Sequence, residues 1–100
     1  MRIWELTPAD PTDPMWKDWK PDPILVRANT KTEARRLAAS RTLKMFPTRP
    51  GQPLPINPWG GHRKIGDPSP TVCEDVTKRV QNQYSADGPT EVLNRAEGDG

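Results

Sequence analysis

Asp10, Asp13, Asp18 and Asp22 fall within the single stretch DPTDPMWKDWKPDP. Carboxylates that close in sequence offer oxygens to a hard cation such as calcium, but the spacing lacks the alternation of an EF-hand loop and its closing Glu. A simpler chemistry fits Asp-Pro pairs. The Asp side chain accepts from the backbone amide two residues on, while proline presets the next φ. The stretch therefore predicts an ordered loop with stiff corners, in which Trp16 supplies a packing anchor. The remaining chemical residues are sparse. His62 is the only histidine and Cys73 the only cysteine, so a nucleophile, base and acid would have to come from Cys73, His62 and Asp75. Nothing orients a lone histidine in the glycine-rich run GGHRKIG, and that run lacks the Gly-Lys-Ser/Thr ending and the preceding apolar strand of a phosphate loop. One Cys and one His would leave carboxylates to complete a tetrahedral metal site. The expectation is a protein with no catalytic residues, no metal and no cofactor, in which Cys73 is a small buried hydrophobe.

Binding chemistry is better supplied. Residues 27–50 carry seven basic side chains against Glu33 alone, whereas the segments on either side are each net acidic. Arg35, Arg36, Arg41 and Lys44, with Lys31, would form a basic stripe if this segment is helical. Such a face is the ordinary solvated side of a helix, or else it contacts an acidic protein surface or nucleic-acid phosphates. Arg63 and Lys64 extend the charge into the following loop, where Trp59 is available to stack on a base. Trp19, set between Lys17, Asp18 and Lys20, is open to packing or to partner contact. The predicted partner-binding set is thus Arg35, Arg36, Arg41, Lys44, Trp19, Trp59, Arg63 and Lys64, with a protein partner ahead of nucleic acid.

Proline marks the elements that must position these groups, because it lacks the amide donor and restricts its neighbours. Residues 24–46 and 71–88 contain none, so regular structure concentrates there and at the start. Ile3, Trp4 and Leu6 make a short first strand, and ILVRA a second. Thr30 and Glu33 form a capping box, followed by helical spacing of Ala34, Leu37, Ala38 and Met45, which predicts a helix from Lys31 to about Phe46. Residues 47–70 read as a long Pro/Gly-rich loop. The run TVCEDVTKRV suits a strand by its Val and Thr content and a helix by its valines four apart; we take the strand. EVL near the end packs briefly, and residues 94–100 form a frayed tail.

One hundred residues with 32% hydrophobic composition make one small domain with a thin core. No run approaches the roughly 20 apolar residues of a membrane span, MRIWELTPAD has no signal-peptide h-region, and one cysteine suits a reducing compartment, so the expected location is cytoplasmic.

WELTPADPTDPMW, then ILVRA leading into TEARRLAA, then PW, DPSPTVCEDV and GPTEVL together resemble a group of small uncharacterised bacterial proteins. The resemblance covers most of the chain and implies the order of elements and a strand at Val72 to Val76, but no activity. The reading is an α+β domain over residues 1–93, of order β-β-α-β, with one helix on a small antiparallel sheet and long Pro-rich loops. Its expected role is a non-catalytic adaptor or inhibitor that binds another macromolecule.

Overall fold

The computed structural model describes residues 1–42, 50–51, 57–60 and 69–95. Four strands form one antiparallel sheet: β1 (Arg2–Pro8), β2 (Ile24–Ala28), β3 (Thr71–Asp75) and β4 (Glu91–Val92), in the spatial order β3-β1-β2-β4. Among the described residues one α-helix, α1 (Lys31–Arg41), lies between β2 and β3 in the chain. The architecture is the α+β domain expected, with the two-residue β4 as an added fourth strand at the sheet's edge.

Alternation along β1 divides the molecule into two apolar layers. Trp4 and Leu6 turn toward α1 and meet Val26 and Ile24 across the β2 pairing, with Cys73 opposite Leu6 on β3. From the helix, Ala34 and Ala38 complete this layer. They are one turn apart and small, so the helix lies close to the sheet but brings little volume of its own. Trp16, Trp19 and Trp59 supply that volume, all three inside the same cluster. Ile3 turns to the opposite face and packs with Val76 and Val80, with Leu25, Tyr84 and Leu93 around them.

The loop between β1 and β2 has the corners its sequence predicts. Asp10 accepts from the Thr12 amide and Asp13 from the Met15 amide, each at 3.0 Å, and a single 3-10 turn at Pro14–Trp16 delivers Trp16 to the core. The capping box is also present. Thr30 accepts from the Glu33 amide at 3.1 Å, while Glu33 reaches back to the Asn29 amide at 3.0 Å. The helix runs to Arg41, with Thr42 as its cap; the predicted continuation to Phe46 lies outside the described residues.

One expectation changes and two are sharpened. Residues 71–75 are a strand, and the valine spacing that suggested a helix instead places Val76 and Val80 under Ile3. The frayed tail does not begin at residue 94: the Asn94 side chain accepts from the Leu25 amide at 2.8 Å, and Arg95 is buried and donates to the Asp22 carbonyl at 2.7 Å. Within the Pro/Gly-rich span, residues 57–60 are pinned to α1. Asn57 donates to the Ala39 carbonyl at 3.0 Å and accepts from the Trp59 amide, again at 3.0 Å.

Candidate macromolecular interface

An α-helix turns about 100° per residue, so Arg36 points about 100° away from Arg35, and Arg41 about 140° beyond Arg36. The contacts follow this arithmetic. Arg35 leans toward β3, where its Nε donates to Thr71 Oγ1 at 3.0 Å and its Nη2 to the Thr71 carbonyl at 3.3 Å. Arg36 points away from the core, with its side chain 76% exposed and Glu33 4.0 Å away. Arg41 is half-buried on the β4 side, in a cleft of about 230 Å³ lined with Leu37, Ser40, Thr90, Glu91 and Val92. The basic stripe expected on one face is therefore three separate placements. Lys44, Arg63 and Lys64 lie outside the described residues.

The two tryptophans of the predicted set are interior. Trp59 has no exposed surface and Trp19 is 8% exposed. Trp16 meets Trp59 edge to face at a centroid distance of 4.9 Å, and the Arg95 guanidinium covers the Trp59 ring at 5.2 Å. A ring with no exposed surface has no face left for a base. Apolar demand explains this: a helix that presents alanines leaves a space that only large rings can fill.

Other cations are committed within the fold. Arg27 is buried, donates to the Ser85 and Pro89 carbonyls, and pairs with Glu91 at 3.0 Å. Arg79 pairs with Glu5 at 2.6 Å, and Arg2 with Asp75. An open groove of about 800 Å³ at that end of the sheet is lined in part by Arg2, Asn29, Asp75, Thr77 and Arg79. Its two arginines already face carboxylates.

The candidate chemical groups are held in place by local bonds. Hydrogen bonds from the Thr77 side chain and amide, then from Arg2, hold the Asp75 carboxyl down at about 2. Thr12 lowers the Asp10 carboxyl in the same way. Burial pushes the Cys73 thiol up, against the opposing pull of Arg35 and Lys31, so the thiolate needed of a nucleophile is disfavoured. His62 lies outside the described residues. Among the described residues no three His, Cys, Asp or Glu side chains gather to hold a metal ion, and no helix is long and apolar enough to cross a membrane.

The cleft beside Arg41 was not legible in the sequence, because a two-residue strand leaves no periodic trace. The Asn-Pro before Trp59 was the available signal for the turn that seats that ring. No known protein family matches the chain, and no curated protein or solved structure matches it.

Proposed function

We propose that this is a non-catalytic binding protein whose partner is another protein, contacted from the α1 and β4 side. One observation carries the reading: Arg41 is a half-buried cation with no hydrogen-bond or ion-pair partner among the described residues, at the mouth of a cleft with apolar walls from Leu37 and Val92. A partly desolvated charge without a counterion favours an incoming acid. Nucleic-acid binding is the alternative. It requires several cations over one stretch of backbone, since each neutralised phosphate contributes about 0.9 to the salt slope. The divergence of Arg35, Arg36 and Arg41 supports the protein reading over that one.

The test combines two measurements. A photo-crosslinking side chain at position 40, in place of Ser40, is expected to give one discrete protein adduct in cells, lost on Arg41→Glu. A fluorescent mixed-sequence oligonucleotide is expected not to bind at about 50 mM salt, where electrostatic association is strongest. Binding that falls steeply by about 200 mM and disappears in the Arg35/Arg36/Arg41 triple alanine variant would replace the protein partner with nucleic acid.

A further inference from the structure

The chain contains Asp-Pro bonds at Asp10, Asp13, Asp22 and Asp67, the last outside the described residues. Chemically these bonds are alike. An aspartate carboxylate can close a cyclic anhydride on its own main-chain carbonyl carbon, because the covalent chain holds the two within reach. Proline suits the leaving side, since its nitrogen is a tertiary amide and departs as a basic secondary amine.

The fold gives the three described bonds different surroundings. The Asp10 carbonyl accepts from the Asp13 amide at 3.1 Å, and the Asp13 carbonyl from the Trp16 amide at 3.0 Å. Both donors are neutral, and both carboxylates are engaged by the chain ahead, Asp10 by the Thr12 amide and hydroxyl and Asp13 by the Met15 amide. The Asp22 carbonyl instead takes a cation. Arg95 Nη2 donates to it at 2.7 Å, while the same guanidinium lies 5.2 Å from the Trp59 ring centroid. One residue on, Asn94 Nδ2 donates to the Pro23 carbonyl at 3.0 Å, and Asn94 Oδ1 accepts from the Leu25 amide at 2.8 Å. The C-terminal segment thus grips the Asp22–Pro23 pair at both carbonyls. Arg95 is buried whereas Asp22 and Pro23 are exposed, so the donor is desolvated and the bond itself reaches water.

We infer that Asp22–Pro23 is a self-cleavage site, in which Asp22 is the nucleophile and Arg95 stabilises the oxyanion. A carboxylate oxygen of Asp22 adds to the Asp22 carbonyl carbon, and the carbonyl π pair moves onto the oxygen that Arg95 holds. The C–N bond then breaks. Its electron pair stays on the Pro23 nitrogen, which takes a proton from solvent, so the reaction quickens as pH falls. This leaves a cyclic anhydride at Asp22 and a free amine at Pro23. Water opens the anhydride to a C-terminal aspartate, and the net reaction is hydrolysis with no other reagent. A charged donor is roughly twice as strong as a neutral one, which sets Asp22 apart from Asp10 and Asp13. The event occurs once per chain, without turnover of a substrate, and is independent of the binding reading above. Because β1 lies between β3 and β2, fragments 1–22 and 23–100 should stay paired after the cut.

The full chain is held in mildly acidic buffer, either native or in guanidinium chloride, and its fragments are read by denaturing mass spectrometry. Denaturation removes the differences in surroundings, so the chain carries its own reference. Native protein should yield 1–22 and 23–100 about tenfold or more faster than denatured protein, and faster than it is cut after Asp10 or Asp13. Asp22→Asn should abolish the cut. Arg95→Gln should return the bond to its denatured rate, and Arg95→Lys, which keeps a charged donor, should retain part of the acceleration. A native rate at or below the denatured one would overturn the proposal. So would wild-type cutting in Arg95→Gln, or preferential cutting of the native chain after Asp10 or Asp13.

Discussion

Asp75 ends β3 and caps the turn behind it: its carboxylate accepts from the Thr77 amide at 3.0 Å and hydroxyl at 2.6 Å, and pairs with Arg2. These bonds favour the ionised form and lower its titration from 3.8 to about 2. A folded-state value below the unfolded one adds stability that is complete above about 4 and is lost as pH falls toward about 2. The group is largely solvent-screened, so the contribution is under about 1 kcal/mol. Asp75→Asn should therefore reduce stability at pH 7 while flattening its decline between about pH 4 and 2. Guanidinium midpoints at pH 7 and pH 3 check this, and an unchanged pH dependence in the variant would assign the acid sensitivity elsewhere.

At the scale of elements, the contact that most depends on side-chain size is between α1 and residues 57–60. A Cβ placed on Gly60 would lie 2.7 Å from the Ala39 Cβ and 3.2 Å from the Arg35 carbonyl oxygen. Gly60→Ala should cost about 1–3 kcal/mol by overpacking. Ala39→Gly alone should cost about 1 kcal/mol through helix propensity. Combined, they should cost less than the two separately, with a coupling of about 0.5–3 kcal/mol, because removing the Ala39 methyl makes room for the new one. Urea unfolding of the four proteins in this cycle measures the coupling; strict additivity would mean that the turn is not seated on the helix. The helix was legible from Thr30, Glu33 and the alanine spacing, since capping and periodicity are local. That the alanines serve close approach of a tryptophan-bearing turn was not.

For the whole molecule, three tryptophans from two distant loops fill the space that α1 leaves above the sheet. A chain of this length has a total stability of about 5–15 kcal/mol. Truncating one buried tryptophan costs about 3–5 kcal/mol. Trp16→Ala or Trp59→Ala should thus lower the guanidinium midpoint severely, and the double variant should be largely unfolded by circular dichroism. A native-like melt for Trp59→Ala would restore that ring to the surface. The partner-binding set divides for the same reason. Sequence counts charges and rings, whereas the directions of Arg35, Arg36 and Arg41, and the burial of Trp59 against Trp16 and Arg95, depend on what each side chain meets.

Local chemistry in the chain determined the strands β1 to β3, the start of α1 and the Asp-Pro corners. Each depends on residues a few positions apart: β-branched runs, a capping pair, a carboxylate and the amide two residues on. Only the tertiary structure decided that β4 joins the sheet, that Arg95 returns to Asp22 and Trp59, and that Arg41 lies in a cleft beside β4. Those contacts join residues far apart in sequence, and their energies come from burial and pairing that exist only once the chain has closed on itself.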